Sequence, residues 1–227
     1  MSNGEVDGKY YQIARPGSLA DRLVVRARDA IYADFIRRTG CTASDTILDV
    51  GISDVVGESA NMLERLHPHQ AQITAVGIGT AEAFQEAFPA VTYRQIVPNT
   101  TLPFADKTFD IATSNAVVEH VGSAEHQRLL ISEMLRVARR VYVTVPNRFF
   151  PVEHHTGIPL LHYWDASFAL ACRLTGKTEW ADPTNLILMS TGKLRAVWPP
   201  GRRVEIGMTG LPLGPFSSSV YGYVDQG

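Results

Sequence analysis

The feature that most constrains this chain is a regular alternation of short apolar runs with segments of helical periodicity between residues 46 and 145. The apolar runs lack strict polar alternation, which is typical of strands covered on both faces. Strand-helix repetition of this kind predicts an α/β fold with a parallel sheet and right-handed crossovers. The predicted strands are 46–50, 74–78, 92–97, 109–114 and 141–145, and the predicted intervening helices are 58–66, 81–87 and 125–138.

Helical and strand patterns also flank this core. Apolar residues recur at three- and four-residue steps over 19–38, which predicts a helix with one buried face that ends at Gly40. Two further strands are predicted at 203–208 and 220–224. The linker between these strands is too short and too rich in glycine and proline for a crossover helix, so we expect them to pair antiparallel.

Two segments stand apart from the strand-helix pattern within what we interpret as a single domain over 1–227. Residues 1–18 are polar and contain glycine and proline, which indicates a flexible N-terminal arm. Residues 147–202 begin with a stretch rich in proline, histidine and aromatic residues. This segment begins at the carboxyl end of a predicted strand. We therefore expect it to form an insertion or lid on the acceptor side of a ligand site.

Composition narrows the choice of partner. With 21 Lys and Arg against 23 Asp and Glu, the net charge of -2 provides no field that would attract nucleic acid or an anionic membrane. A small-molecule partner is therefore expected, while the oligomeric state stays open. Cys41 and Cys172 are far apart and belong to no metal-binding pattern, which favours free thiols in a reducing, cytoplasmic compartment.

The first chemical motif is TILDVGISDVVGESANML at residues 46–63. A predicted strand ends with Asp49, Gly51 allows the backbone to turn beside a ligand, and a helical pattern follows. This arrangement suits a nucleotide-like ligand. A purely structural turn is an equally good interpretation, since strand-glycine-helix turns occur in many α/β domains.

The second motif, at residues 102–155, makes a family resemblance specific. LPFADKTFD and VEHV resemble the elements that open and follow the fourth strand in class I (Rossmann-like) S-adenosylmethionine (SAM)-dependent methyltransferases. DVG at 49–51 and PNRFFPVEHH at 146–155 resemble a type 11-like group of that family. The resemblance implies SAM as cofactor. It also implies a seven-stranded sheet in the order 3-2-1-4-5-7-6, with strand 7 antiparallel and helices on both sides.

The resemblance also implies a cofactor site at the carboxyl ends of strands 1 and 4, where the winding of the sheet reverses. Asp49 matches the leading acid of the family motif and would hold the amino group of the cofactor. Gly51 matches the first glycine and would admit the methionine part. Ser53 stands where the family has a later glycine, and Ser114 ends the fourth predicted strand on the same cleft.

On the adenosine side the chain departs from the family pattern. Gly77 occupies the position of the acid that usually binds the ribose hydroxyls, and Glu82 is the nearest acid that could replace it. The position usually close to the adenine amino group is Pro98, so the neighbouring Asn99 is the candidate to contribute an amide oxygen. These departures predict modest cofactor affinity.

Glu119 and His120, directly after the fourth predicted strand, are the candidate catalytic residues. Histidine titrates close to neutral pH and suits a general base. In the alternative interpretation, Glu119 braces the following turn and His120 packs under the cofactor. A metal site built from three histidines, His154, His155 and His162, is not expected, because adjacent side chains point apart on extended backbone.

Together these observations predict a SAM-dependent methyltransferase that acts on a small-molecule or glycan-like acceptor. The alternative is a degenerate member of the same fold, which binds a ligand or partner without catalysing transfer. A nicotinamide-dependent oxidoreductase is a third interpretation, although the second predicted strand provides no acid for its ribose either.

Overall fold

The chain is described by a computed structural model over residues 17–227. The predicted arm at 1–18 therefore lies outside the described residues, apart from its last two positions. The strands are β1 (Ile47–Val50), β2 (Ile73–Gly77), β3 (Thr92–Gln95), β4 (Phe109–Asn115), β5 (Ala138–Pro146), β6 (Glu205–Thr209) and β7 (Ser219–Asp225). The α-helices are α1 (Leu19–Thr39), α2 (Met62–Leu66), α3 (Glu82–Ala87), α4 (Ala124–Val137), α5 (Asp165–Leu174) and α6 (Thr191–Ala196).

The strands form one sheet in the order β3-β2-β1-β4-β5-β7-β6, which confirms the predicted topology. The first five strands pair in parallel, and β7 runs antiparallel to both β5 and β6. Strands β1 and β4 are neighbours, with Ile47 opposite Ile111 and Asp49 opposite Thr113. The carboxyl ends of these two strands therefore meet where the winding reverses, the usual ligand position in such sheets.

Both faces of the sheet are covered, which explains the continuous apolar runs of the sequence. On β5, Val141 and Val143 belong to one buried cluster, which includes Ile131 of α4. Tyr142 points to the opposite cluster, which includes Phe35 of α1. The period of two along a strand thus distributes successive β5 side chains between two cores.

Helix ends follow the capping signals of the sequence. Ser18 accepts a hydrogen bond from the Asp21 backbone N–H at the start of α1, and Gly40 ends this helix in the left-handed region with φ of 61°. Ser123 accepts a hydrogen bond from the His126 backbone N–H at the start of α4. Side-chain caps satisfy backbone donors that have no partner within the helix, so they fix where each helix begins.

Helix α2 is shorter than predicted: it begins at Met62, whereas the sequence pattern suggested residue 58. Asn61 is the physical reason. Its backbone has φ of 43°, and its side-chain amide accepts from the Ser53 N–H at 3.0 Å and donates to the Ser53 carbonyl at 2.8 Å. These two bonds hold 53–61 as a loop, and left-handed backbone at Asn61 prevents the helix from starting earlier.

The predicted insertion at 147–202 contains α5, α6 and a small apolar cluster of its own, which includes Phe168, Cys172 and Trp180. Its first residues join it to the end of β5, where the Arg148 N–H donates to the Met189 carbonyl at 2.8 Å. Trp164, in the same segment, is 67% exposed. The internal apolar cluster stabilises the segment, because its buried large side chains lie there.

Cys41 and Cys172 are both free thiols, as predicted. Within residues 17–227, no helix combines the length and the apolar character that crossing a membrane requires.

Gly222, on β7, gives a test of how the sheet packs. A β-carbon built at this glycine would lie 2.7 Å from Cζ2 of the buried Trp198 side chain, so the indole packs directly on the strand backbone. We expect Gly222→Ala to lower the free energy of unfolding in urea by about 1–3 kcal/mol, because overpacking forces the ring to shift. Gly57→Ala is the matched control, since a β-carbon there meets nothing within 4 Å. Equal stability of the two variants would contradict this account.

Candidate functional site

The carboxyl ends of β1 and β4 are fastened to each other. The Ser114 hydroxyl, fully buried on β4, donates to the Val50 carbonyl of β1 at 2.9 Å. Gly51 follows β1 with φ of 94°, and a β-carbon at this position would overlap the methyl groups of Val117. The loops after the two strands therefore contact each other, and they bring Asp49, Gly51 and Ser114 to one edge of the sheet.

This contact gives Gly51 and Ser114 structural roles that differ from the roles predicted from the sequence. Gly51 was expected to be glycine because a ligand approaches its backbone, but in the structure the missing side chain makes room for Val117. Ser114 was expected to line the cofactor cleft, yet its hydroxyl hydrogen is directed at the Val50 carbonyl and the side chain is buried. Both residues shape the cleft, and their direct contact with a cofactor stays a prediction.

Asp49 lies beside a second acid that the sequence analysis missed. Glu64, on α2, is fully buried and interacts electrostatically with the Asp49 carboxyl group, while neither of its carboxyl oxygens has a hydrogen-bond partner within residues 17–227. Burial is the main cause that raises the pKa of both groups, and the charge of Asp49 raises that of Glu64 further. The buried position of Glu64 could have been found only from the true start of α2.

Arg28 of α1 lies next to this pair. Its guanidinium group interacts electrostatically with Asp49 and with Glu119, and burial lowers its pKa to about 10. The sequence placed Arg28 on a helix without assigning a face to it. The structure therefore adds a basic group between the end of β1 and the loop after β4.

The carboxyl ends of β2 and β3 form the other half of the site. A β-carbon at Gly77 would lie 3.0 Å from the Tyr93 hydroxyl, and this hydroxyl donates to the Gly79 carbonyl at 2.5 Å. Tyr93 thus fills the space in which the side chain of a ribose-binding acid would begin. Asn99 is exposed in a turn after β3 and has φ of 58°, so its backbone conformation shapes that turn.

An acid does lie near this end of β2, but it is not the one that the sequence suggested. Glu82 is exposed on α3, whereas Asp54 extends from the loop after β1 towards the start of that helix. The Asp54 carboxylate accepts a hydrogen bond from the Phe84 N–H at 3.0 Å through Oδ1. After burial, the negative charge of Asp54 is the second cause that raises the pKa of Tyr93, which places the carboxylate near the Tyr93 ring.

Glu119 lies in a 3-10 turn, Val118–His120, that follows β4. Its side chain is only 1% exposed, and neither carboxylate oxygen has a hydrogen-bond partner within residues 17–227. Burial raises the pKa of Glu119 to about 7. The backbone carbonyl, not the side chain, ties the turn to the insertion by accepting from the Ile187 N–H at 2.8 Å. A brace through the Glu119 side chain, the alternative from the sequence, is therefore not observed.

His120 contacts the insertion through both ring nitrogens. Nδ1 lies 2.7 Å from the Asn185 carbonyl oxygen, and Nε2 lies 3.0 Å from Nε2 of His155. Burial lowers the pKa of His120 to about 4. The ring of Trp180 packs beside both imidazoles, with ring centroids 6.2 Å from His120 and 5.0 Å from His155. The sequence did not indicate that His155 would meet the turn after β4.

His155 is oriented in turn by Glu153. Its Nδ1 lies 2.8 Å from Oε1 of Glu153, and the other carboxylate oxygen accepts from the backbone N–H groups of His155 and Thr156. Although burial alone would raise it, these donors lower the pKa of Glu153 to about 2. Glu153 is therefore a carboxylate whose bonds fix both the turn and the imidazole.

The three-histidine arrangement that the sequence analysis set aside does not form. The His154 ring packs against Phe150, and Nε2 of His162 lies 2.8 Å from the Phe150 carbonyl oxygen. Within the described part of the chain, a different set has ligand atoms close together: Glu119, His120 and His155, all within 4.8 Å of one another.

Comparison with known proteins supports the assignment of the fold. Residues 48–141 match the family model described as a methyltransferase domain. No curated protein is similar enough in sequence to be matched with the chain.

Solved structures share the fold over almost the whole chain. The magnesium protoporphyrin IX methyltransferase of Synechocystis, solved with bound SAH, has 14% identity and a TM-score of 0.57, and the match covers 99% of this chain and 96% of that one. A SAM-dependent methyltransferase of Thermotoga maritima has 14% identity and a TM-score of 0.57, with 92% of each chain covered. A protein of Rhodobacter sphaeroides described among Zn-dependent alcohol dehydrogenases has 12% identity and a TM-score of 0.58, with 97% and 94% covered. At such identities the likeness shows the fold alone.

The chain therefore has the fold of class I SAM-dependent methyltransferases, and residues 48–141 match the methyltransferase-domain model, as the resemblance of the sequence predicted. SAM is the methyl donor of this class, as expected from the sequence. The matched segment begins inside β1 and ends inside β5, so it contains both loops that meet at the switch point.

The burial of Asp49 and Glu64 makes stability depend on pH. Their pKa values are raised in the folded chain, so the folded state holds more protons than the unfolded state above about pH 4, where ordinary carboxyl groups ionise. We expect the free energy of unfolding to fall as the pH rises from 4 through 7, by at most about 1.4 kcal/mol per pH unit for one proton.

Glu64→Gln should flatten this slope, because it removes a buried titrating group and its repulsion with Asp49. Urea titrations of both proteins at several pH values measure the difference. Glu58→Gln, at an exposed acid of the same loop, is the matched control and should keep the parent slope. Parallel slopes for the parent and Glu64→Gln would show that Glu64 does not titrate with a raised pKa.

Proposed function

We propose that this protein transfers a methyl group from SAM to a small-molecule or glycan-like acceptor. The observation that carries the proposal is that the matched methyltransferase domain contains the two loops that touch at the switch point, through Gly51 and Val117. A small acceptor is supported by the net charge of -2, which does not favour nucleic acid. A cytoplasmic location belongs to the same proposal.

In this proposal the methionine part of SAM lies over Gly51 and Ser53. The ammonium group of the cofactor is a cation, and the partly ionised pair of Asp49 and Glu64 is the nearest negative charge at the end of β1. The adenosine part would extend towards the ends of β2 and β3, at Gly77 and Asn99. Tyr93 blocks an acid at Gly77, so we propose that the free oxygen of Asp54 receives the ribose hydroxyls.

Methyl transfer needs no protein nucleophile. The acceptor atom forms a bond to the methyl carbon while the bond from carbon to sulfur breaks, and an acceptor that carries a proton must then release it. Orientation and exclusion of water can supply most of the acceleration. We propose that Glu119 and His120 face the acceptor and that segment 147–202 covers it, since this segment contacts both residues through Ile187 and Asn185.

Calorimetry separates the proposal from its alternatives. SAM and its demethylated product should bind to the purified protein, and NAD should not. Release of the product during incubation with candidate acceptors would then separate an enzyme from a degenerate binding protein. Binding of NAD without binding of SAM would overturn the proposal in favour of an oxidoreductase.

Asp54 gives a sharper test of where the ribose lies. Asp54→Asn keeps the oxygen that accepts from the Phe84 N–H but removes the charge. A charge-assisted hydrogen bond contributes about 1.5–3 kcal/mol, so SAM affinity should fall about ten- to a hundredfold. Glu82→Gln, at the exposed acid that the sequence suggested, is the control and should leave affinity unchanged. The opposite pattern would place the ribose at Glu82.

A further inference from the structure

The contact between His120 and His155 cannot be an ordinary hydrogen bond between two neutral rings. The Asn185 carbonyl oxygen only accepts hydrogen bonds, so Nδ1 of His120 carries a proton. The Glu153 carboxylate accepts hydrogen bonds from the backbone N–H groups of His155 and Thr156, so Nδ1 of His155, 2.8 Å from its Oε1, also carries a proton. Each neutral ring is then left with a lone pair on Nε2, and these two atoms face each other at 3.0 Å.

Glu119 adds a third acceptor to the same place. Its Oε1 lies 4.0 Å from Nε2 of His120, and both carboxylate oxygens are buried without a hydrogen-bond partner among the described residues. A cavity with room for a water-sized sphere borders the group, and its lining includes Glu119, Glu153, His154 and His155. Two imidazole lone pairs and one carboxylate thus converge next to a small buried space.

We propose that Glu119, His120 and His155 bind a divalent first-row transition-metal ion, for which Zn²⁺ is the natural probe. Bond lengths of about 2.0–2.1 Å in a tetrahedral site place ligand atoms about 3.3 Å apart. The observed separations run from 3.0 Å to within 4.8 Å, so rotation of the Glu119 carboxylate is the main adjustment required. Two imidazoles and a carboxylate match the preference of these ions.

The groups behind the ligands have the arrangement that metal sites use. A ligating histidine generally donates its other ring N–H to a carboxylate or a backbone carbonyl, which fixes the tautomer and the ring plane. Glu153 accepts this hydrogen bond from His155, and the Asn185 carbonyl accepts it from His120. Three protein ligands also leave a fourth position for water or another small ligand, as in zinc sites that are not purely structural.

A proton shared between the two imidazoles is the competing explanation of their contact. That proton would satisfy both nitrogens, but it would leave the buried Glu119 carboxyl group without a hydrogen bond among the described residues, which is energetically unfavourable. A metal ion satisfies all three groups at once. The site is defined by protein atoms alone, so it does not depend on the proposed methyl transfer.

Metal binding can be measured directly on the full chain. After removal of metal with a chelator, calorimetry with Zn²⁺ should give one ion per chain, and Zn²⁺ should raise the melting temperature. Mg²⁺ at the same concentrations should do neither, because it prefers oxygen ligands. Absence of Zn²⁺ binding by the parent protein would overturn the proposal, whatever the result with SAM.

Variants place the ion within the chain. Glu119→Gln and His155→Asn should each abolish most of the Zn²⁺ affinity, and Glu153→Gln should weaken it about ten- to a hundredfold by releasing His155. Glu119→Gln should not lower the melting temperature of the metal-free protein, because it replaces a buried carboxyl group that makes no hydrogen bond within the described residues. The control is His69→Asn, at an exposed histidine outside the cluster.

The Zn²⁺ affinities of these variants test whether the three residues are the ligands. Retention of the parent affinity by His69→Asn, with its loss in Glu119→Gln and His155→Asn, is the expected result. Equal Zn²⁺ affinity in the parent and Glu119→Gln, or loss of binding in His69→Asn alone, would show that the ion binds elsewhere and would overturn the proposal.

Discussion

The contact between the ends of β1 and β4 is the constraint on which the rest of the site depends. Ser114 bonds across the two strands to the Val50 carbonyl, and the missing side chain of Gly51 lets Val117 reach over β1. Because both strands are parallel and central, their loops leave the sheet on the same edge. Any side chain at position 51 would separate these loops, and with them the acids at the end of β1 and in the turn after β4.

Most of the fold could be predicted from the sequence, because its main signal is repeated. Strands buried on both faces produce apolar runs, and the runs of β1, β2, β4 and β5 are confirmed by burial, whereas the edge strand β3 is largely exposed. The start of α2 could not be predicted in this way. It depends on two hydrogen bonds of the Asn61 side chain with Ser53, which form only once the loop after β1 has closed. Glu64 then becomes buried beside Asp49, a consequence that helical periodicity alone does not show.

The candidate site was predictable only where it lies on the parallel strands. Glu119 and His120 were placed correctly after β4, since that position follows from strand order. The ring of His120 contacts His155 and Asn185, which lie 35 and 65 residues further along the chain. Both are in the insertion, outside its helices. No local pattern specifies such contacts, because they are set by how the insertion packs on the edge of the sheet.

Three buried carboxyl groups in this region are stabilised against the loss of hydration in three different ways. Burial of a carboxylate is unfavourable unless donors or a counter-charge compensate for lost water. Glu153 is compensated by donors from the backbone, Thr156 and His155, and its pKa is lowered to about 2. Glu64 keeps its proton to a higher pH than an ordinary carboxyl group, because burial and the charge of Asp49 raise its pKa. Glu119 has no hydrogen-bond partner within residues 17–227; it interacts electrostatically with Arg28 and lies 4.0 Å from Nε2 of His120. This difference, rather than the presence of histidines, distinguishes Glu119 as the group around which a bound cation would be organised.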